Sequence, residues 1–187
     1  MMNKEEINKL KDKINQLEKK NIDLIITDFD DTIFSTKKLI EKDYRKWKRW
    51  QEWNQYIIEN NLIKKIIDEV YKNAIYPKNI SSKLRKNHDL ILTAWIDLFQ
   101  IEKIKATNLE HINLKIVNEP KEKIIKTIEY ITDTLWFLPN KVTVYEDRPK
   151  YFIEYKKLLE NILNIPFDIM YVEMTDNYSE PKISKIN

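Results

Sequence analysis

Two aspartates lie two positions apart at the end of the first apolar run of the chain. Residues 23–29 predict a buried strand, and the run ends in the pattern Asp28, Asp30 and Thr32. One carboxylate so placed can attack phosphorus as a nucleophile, and a second beside it can transfer protons. Asp and Thr also favour loops that cap helices, so this motif alone leaves both interpretations open.

A second group of charged residues follows another apolar run. Residues 141–145 predict a strand, and Glu146, Asp147 and Arg148 come directly after it. Carboxylate oxygens without histidine are ligands that Mg²⁺ prefers. The arginine can hold a phosphate through two hydrogen bonds or form a structural salt bridge with a nearby acid, and the sequence favours neither interpretation.

Both groups need a framework that brings distant strand ends together. Apolar runs that predict strands alternate with patterns that predict helices, which indicates a Rossmann-like α/β protein, a three-layer sandwich around about five parallel strands. Functional residues gather beyond the carboxyl ends of such strands, where Thr93 lies, although Thr93 is equally typical of a helix cap. The predicted strands are residues 23–29, 88–93, 112–117, 141–145 and 167–172, and predicted helices cover residues 94–104, 121–135 and 151–163.

The remaining segments add helices but no second domain. Spacings of three and four between apolar residues predict a helix over residues 1–20, and residues 37–74 have a charged, aromatic-rich helical pattern. The part after Thr175 has no clear pattern. A length of 187 residues fits one domain, residues 1–187, with room for a small insertion.

The chain contains no glycine, and this absence excludes several classes of function. A Walker loop, a dinucleotide-binding fingerprint and the serine elbow of hydrolases all need glycine. Cysteine is absent as well, which excludes disulfides and thiolate chemistry. His88 and His111 are predicted to be ordinary surface residues beside strands, and two histidines are a poor supply for a zinc site.

Charge and hydropathy limit the partners and the location. The net charge is +3 with acids and bases interspersed, so charge alone favours neither nucleic acid nor a membrane surface. The first 20 residues lack the apolar run of a signal peptide, and no stretch has the length of a membrane helix. We therefore expect a cytoplasmic protein without a membrane partner.

Taken in chain order, the motifs resemble those of the haloacid dehalogenase superfamily of phosphatases. That family has Asp-x-Asp-x-Thr after its first strand, a Thr or Ser ending the second, a Lys near a helix start, and an acidic pair after a later strand. The resemblance spans about residues 20–175. The matching positions here are Asp28 to Thr32, Thr93, Lys123, and Glu146 with Asp147.

The resemblance implies a magnesium-dependent phosphohydrolase that acts through an aspartyl-phosphate intermediate. It makes Asp28 the nucleophile, and it makes Asp30 the residue that protonates the leaving oxygen and then deprotonates water. The implied ligands of Mg²⁺ are Asp28, the backbone carbonyl of Asp30, and Asp147, with Glu146 second to them. These roles are consequences of the resemblance, and they agree with the preference of Mg²⁺ for oxygen.

The resemblance also implies two groups that hold phosphoryl oxygens, Thr93 and Lys123. The lysine is not unique in its segment, because Lys115, Lys121 and Lys126 are close to it in the chain. An exposed surface lysine is the usual explanation for any of the four.

Relatives carry a cap over the active site between the first two motifs, which implies a helical cap at about residues 37–87 here. The chain departs from the family at two places. Ala94-Trp95 stands where relatives often have Gly-Arg, and Glu146 stands where they have a second aspartate.

Two features bear on the substrate. The stretch from Glu146 to Pro149 is similar to one in the phosphatase domain of polynucleotide kinase/phosphatases and to RNA-repair domains of the same superfamily. Basic and aromatic residues interleaved in the cap region suit a nucleic-acid strand, although their helical spacing also fits a stripe that faces the core. These residues are Tyr44, Lys46, Trp47, Lys48, Arg49, Trp50, Trp53 and Tyr56.

Four hypotheses for function follow. The leading one is a phosphomonoesterase that acts on nucleotide or polynucleotide ends. The second is a phosphatase for a phosphorylated small molecule. The third is a non-catalytic binding module that keeps the fold, and the presence of both Asp28 and Asp30 argues against it. The fourth is a protein that binds nucleic acid without chemistry.

Overall fold

A β-sheet with helices on both faces forms the centre of the protein. The computed structural model describes residues 4–35, 50–72, 78–94, 96–175 and 180–186. Its strands are β1 (Glu18–Lys19), β2 (Asp23–Thr27), β3 (Leu90–Ala94), β4 (Asn113–Val117), β5 (Phe137–Leu138), β6 (Lys141–Glu146), β7 (Phe167–Glu173) and β8 (Lys182–Ile186). Its helices are α1 (Lys4–Ile14), α2 (Trp50–Glu59), α3 (Ile63–Ile66), α4 (Lys78–Ser81), α5 (Asp97–Ala106), α6 (Glu122–Glu129) and α7 (Lys150–Leu163), with π-helical turns after α3 at Ile67–Tyr71 and after α6 at Tyr130–Leu135. None of these helices has both the length and the apolar content needed to cross a membrane.

The main sheet has, within the described ranges, six strands in the order β4, β3, β2, β6, β7 and β8. β2 lies between β3 and β6 and is parallel to both, with Ile26 aligned to Leu90 on one side and to Val144 on the other. β4 and β7 continue the parallel pairing outward, and β8 joins β7 in antiparallel. The predicted α/β class with a mainly parallel sheet is confirmed. β8 comes from the part for which the sequence showed no pattern.

Apolar clusters on opposite faces of the sheet account for the layers. Successive residues of a strand point to opposite faces, and Leu24 and Ile26 belong to one cluster while Ile25 packs against the other. The first cluster contains buried residues of α1, α6 and α7, and the second contains buried residues of α2 and α5. The central strands are therefore covered on both sides, as their nearly continuous apolar sequence predicts.

Part of the predicted cap region belongs to the hydrophobic core. Trp53 and Ile57 on α2 are fully buried in the second cluster, and the Trp53 ring lies 5.7 Å from that of Phe99 on α5. For Trp53, the core-facing interpretation of the aromatic stripe therefore holds. The cap over residues 37–87 stays a prediction, because residues 36–49 and 73–77 lie outside the described ranges. Those ranges also exclude Tyr44, Lys46, Trp47, Lys48, Arg49 and the side chain of Trp50.

The N-terminal helix is shorter than the predicted residues 1–20. It ends at Ile14, and Glu18 then pairs with Phe137 where β1 and β5 form a two-stranded parallel sheet. Leu17 still packs against the first cluster although it lies beyond the helix. The apolar residues whose spacing predicts a longer helix thus continue into an irregular segment, which packs against the same core.

In the absence of glycine, other residues take the left-handed backbone positions. Asn and Asp tolerate a positive φ because their short polar side chains can hydrogen-bond locally, whereas a bulky aromatic residue does not. Trp136, at the end of the π-helical turn after α6, has a φ of 57° and is 70% exposed. The described positions of this kind are Asp31, Asn61, Asn108, Trp136 and Asn164.

A buried carboxylate at the amino-terminal end of β3 joins this strand to β2. This end of the sheet is opposite to the one that carries the acids. Asp89, directly before β3, has no exposed surface. One of its oxygens accepts a hydrogen bond from the N–H of Ile25 at 2.8 Å. The other accepts from the backbone N–H of Arg85 at 2.7 Å and from its Nε at 3.1 Å. This carboxylate extends the pairing of the two strands, whose register begins at Ile26 and Leu90.

Asp89→Ala is expected to lower the free energy of unfolding by about 3 kcal/mol, because it leaves two partly buried backbone amides and a guanidinium without their acceptor. The matched change Arg85→Ala should cost only about 1 kcal/mol, since both backbone amides still reach the carboxylate. Urea unfolding of the two variants and the wild type measures the difference. Equal losses would show that the ion pair alone, and not the amide contacts, makes Asp89 important.

Candidate active site

The acids predicted from two distant segments lie side by side at the carboxyl ends of β2 and β6. Asp28 directly follows β2, and its N–H donates to the carbonyl of Tyr145 at 3.0 Å. Glu146 ends β6 and Asp147 follows it. One oxygen from each of the three carboxylates lies within 4.8 Å of the other two. Parallel pairing of the central strands therefore produces the cluster that the strand-end rule predicts.

The turn after Asp28 is held by its own backbone and by a buried threonine. Three successive amides, beginning with that of Thr32, donate to the carbonyl of Phe29 at 3.0 to 3.4 Å. The hydroxyl of Thr32 accepts a hydrogen bond from the N–H of Asp147 at 3.1 Å, and Thr32 has no exposed surface. The threonine of the motif thus ties the turn after β2 to the turn after β6.

A buried lysine lies among these acids. The ammonium of Lys123, in the first turn of α6, is 3.1 Å from Oδ1 of Asp28 and 2.7 Å from Oε2 of Glu146. It donates a hydrogen bond to Glu146, whereas the contact with Asp28 is an ion pair without hydrogen-bond geometry. Of the lysines that the sequence left open, this is the one at the acidic cluster. The other three lie on the surface or in surface ion pairs: Lys115, Lys121 and Lys126.

Burial and mutual repulsion disfavour negative charge on the cluster. Burial, followed by repulsion from Asp28, raises the pKa of Glu146 well above its ordinary value although Lys123 opposes the change. The same two causes raise the pKa of Asp147 to about 6. Burial works against the charge on Lys123, but the carboxylates of Asp28 and Glu146 outweigh it and raise the pKa of the ammonium. One ammonium leaves this cluster short of positive charge.

The donor set fits a hard divalent cation such as Mg²⁺. The three side chains of the cluster all offer carboxylate oxygens, close enough together to bind one ion, and a cation there would relieve their repulsion. Neither histidine belongs to the cluster. His88 is half-buried, with its ring 5.8 Å from that of Phe137, and His111 is exposed.

Asp30 lies in the same turn, but its carboxyl group faces a different partner. Both of its oxygens are 2.8 Å from the ammonium of Lys103, and the side-chain amide of Gln100 donates to one of them at 3.1 Å. Burial raises the pKa of Asp30 while Lys103 opposes this, and burial lowers the pKa of Lys103 to about 8 against the attraction of Asp30. The carboxyl group of Asp30 does not belong to the acidic cluster. The metal ligand that the resemblance implies at this residue is its backbone carbonyl and not its side chain.

Sequence reasoning did not identify Lys103 or Gln100. Both lie on the buried side of α5, and a lysine is rarely expected inside a protein. The available signal was their position. They are three residues apart, and Phe99 and Ile104 flank them, so the two polar residues fall on an otherwise apolar helix face.

A cavity of about 540 Å³ opens beside the acids. Thr93, buried near the end of β3, lines it, as does Arg148, whose side chain is 67% exposed. The Nε of Arg148 is 3.3 Å from a carboxylate oxygen of Asp147, which is the salt bridge that the sequence left as one of two interpretations. The residues that line the cavity also include five with largely apolar side chains: Ala94, Ile96, Pro120, Tyr151 and Phe152.

Comparison with known proteins identifies the fold. No protein-family model matches the chain, and no curated protein matches it. Among solved structures, it is similar to a protein from Burkholderia xenovorans LB400 that is provisionally described as a haloacid dehalogenase-like hydrolase. The TM-score is 0.56 over 85% of each chain, at 13% sequence identity. The chain therefore has the fold of that class of hydrolase, and the match gives no support to the narrower resemblance to polynucleotide phosphatases.

Asp147→Asn is expected to stabilise the metal-free protein at pH 7, by on the order of 1 kcal/mol. The folded state raises the pKa of Asp147 from 3.8 to about 6, so ionisation of this group costs stability as the pH rises through that interval. The gain should therefore vanish near pH 4. Urea unfolding in EDTA at the two pH values measures it.

The exposed acid Asp97 provides the control, and Asp97→Asn should change little at either pH. Added Mg²⁺ should raise the thermal midpoint of the wild type more than that of Asp147→Asn, because the variant has lost a ligand. A variant that is less stable than the wild type at pH 7 without metal would contradict the repulsion inferred for the cluster.

Proposed function

We propose that this protein is a magnesium-dependent phosphohydrolase that cleaves phosphomonoesters through an aspartyl-phosphate at Asp28. One observation carries the proposal. The carboxylates of Asp28, Glu146 and Asp147 and the ammonium of Lys123 converge at the ends of two adjacent parallel strands, on the wall of a cavity. The fold shared with a haloacid dehalogenase-like hydrolase supports the same class of reaction.

Positive charge is the first requirement of such a site, because a phosphoryl group and a carboxylate nucleophile repel each other. Asp28, Glu146 and Asp147 would hold Mg²⁺, together with the backbone carbonyl of Asp30. The bound ion supplies positive charge that polarises the phosphoryl group. Lys123 already contacts the nucleophile and offsets part of its charge before the substrate arrives.

The reaction proceeds in two displacements. The carboxylate of Asp28 attacks phosphorus, the bond from phosphorus to the ester oxygen breaks, and Asp30 gives a proton to the departing oxygen. Asp30 then takes a proton from water, and the oxygen of that water attacks the phosphorus of the acyl phosphate. The bond between phosphorus and Asp28 breaks, which regenerates the carboxylate and releases inorganic phosphate.

Three residues that line the cavity hold the phosphoryl group: Thr93, Lys123 and Arg148. Thr93 offers a hydroxyl at the end of β3, and Lys123 offers charge from the first turn of α6. Arg148, whose side chain is largely exposed, can exchange its salt bridge with Asp147 for a substrate phosphate.

For the substrate, we propose a nucleotide or a polynucleotide end. The cavity of about 540 Å³ has room for more than a phosphoryl group, and Tyr151 is among the residues that line it. A phosphorylated small molecule is the alternative. The burial of Trp53 supports this alternative, because the ring lies in the core and has no face open for base stacking.

Asp28→Asn is expected to reduce Mg²⁺-dependent hydrolysis of p-nitrophenyl phosphate by about 1,000-fold or more, since the amide cannot act as the nucleophile. The steady-state rate with and without EDTA measures this. Asp97→Asn, at an exposed acid outside the cavity, should keep the wild-type rate. Equal rates for Asp28→Asn and the wild type would exclude the proposed nucleophile.

A substrate panel separates the two candidates. We expect kcat/KM for a 3′-phosphorylated oligonucleotide to exceed that for a sugar phosphate by about tenfold or more, because the apolar residues that line the cavity can contact a base. A mononucleotide 3′-phosphate provides the matched comparison of chain length. A preference for the sugar phosphate would favour the small-molecule phosphatase.

A further inference from the structure

A fully buried lysine holds the carboxylate of Asp30. Lys103 lies on α5, its side chain has no exposed surface, and its ammonium is 2.8 Å from each oxygen of Asp30. The side-chain amide of Gln100, one turn earlier on the same helix, donates to one of these oxygens at 3.1 Å and to the carbonyl of Ala94 at the end of β3. The carboxylate is therefore held from one side by two groups of a single helix.

Aromatic rings from three segments enclose the ammonium of Lys103. Its distance to the ring centroid is 4.4 Å for Phe99 on α5, 5.3 Å for Tyr71 in the π-helical turn after α3, and 5.8 Å for Phe29 after β2. Such contacts attract a cation and also exclude water from it. They leave the lysine little freedom, so the location of its ammonium is set by the core.

Burial of this lysine lowers the stability of the protein unless its charge makes a favourable interaction. Burying an ammonium carries a desolvation penalty, and an apolar side chain of similar length would fill the same space without it. Asp30, for its part, has acids on both sides in the turn, Asp28 and Asp31. The charge of Asp28 repels the carboxylate of Asp30, and the ammonium of Lys103 holds that carboxylate at a defined place in the lining of the cavity.

We propose that Lys103, assisted by Gln100, is a positioning residue that sets the orientation of Asp30 for its work on the leaving oxygen and on water. This inference rests on the proposed function, because it takes Asp30 as the group that transfers the protons. Lys103 does not line the cavity, so it acts through Asp30 and not on the substrate.

The test is a double-mutant cycle on kcat with p-nitrophenyl phosphate and Mg²⁺, using Lys103→Met, Asp30→Asn and the variant with both changes. Lys103→Met should lower kcat by about 100-fold, the scale expected for a misplaced group, and leave KM within about twofold. In the Asp30→Asn background, Lys103→Met should cause no further loss, because the group it positions is already gone.

Two control variants, one on α5 and one at the residue directly after it, separate positioning from general damage. Lys105→Met removes an exposed lysine that is paired with Glu102 and should keep the wild-type kcat. Thr107→Val removes buried hydrogen bonds to the carbonyls of Lys103 and Ile104, so it should lower the thermal midpoint without lowering kcat. A loss of kcat in Thr107→Val as large as that in Lys103→Met would overturn the proposal.

Other results would overturn it as well. An unchanged kcat in Lys103→Met, or losses that multiply in the double variant, would show that Lys103 does not act through Asp30. If Lys103→Met alone does not fold, the double variant is compared with Asp30→Asn, and a lower kcat in the double variant contradicts the proposal. The rate of Asp28→Asn distinguishes a failure of this proposal from a failure of the proposed function. A wild-type rate in Asp28→Asn would reject the proposed function itself.

Discussion

Repulsion between like charges is the constraint on which this site depends. The carboxylates of Asp28, Glu146 and Asp147 share a small volume at the ends of two neighbouring strands, with the ammonium of Lys123 among them. Such a group cannot form on a flexible surface, because the charges would move apart into water. It persists here because each acid is attached to a strand end whose position is determined by the sheet. The same crowding that disfavours negative charge makes the cluster a good ligand set for a divalent cation.

The rest of the fold keeps those strand ends in place. β2 is central, parallel to both neighbours and covered by an apolar cluster on each face, so its end cannot shift without disturbing the whole core. The segment that follows the first motif contributes to this. Tyr71 lies with its ring centroid 4.4 Å from that of Phe34 in the turn after β2, and it also helps to enclose Lys103. Packing and the orientation of Asp30 therefore depend on the same aromatic group of residues.

The strand-end acids were predictable because a parallel sheet gives apolar runs of strand length, and the residues after such runs must meet at one edge. Lys123 was only one of several candidates, since the face of α6 that meets the sheet is decided by tertiary packing. Lys103 was missed because an internal lysine contradicts the usual distribution of charge. β8 was missed because this edge strand has only two apolar residues, Ile183 and Ile186, which are three positions apart and only half-buried. Propensity and periodicity describe segments, and these features arise from contacts between segments.

The hydrogen bond between Thr32 and the backbone of Asp147 has a consequence for how the site can move. It joins the loop that carries the nucleophile to the loop that carries a metal-binding acid, and the threonine that makes it is wholly inside the protein. Separating the loops would leave an interior hydroxyl without its donor, which is unfavourable. The hydrogen bond thus favours one relative position of the two loops before any ligand binds. Opening and closing of the site would cost less in other parts of the cavity wall.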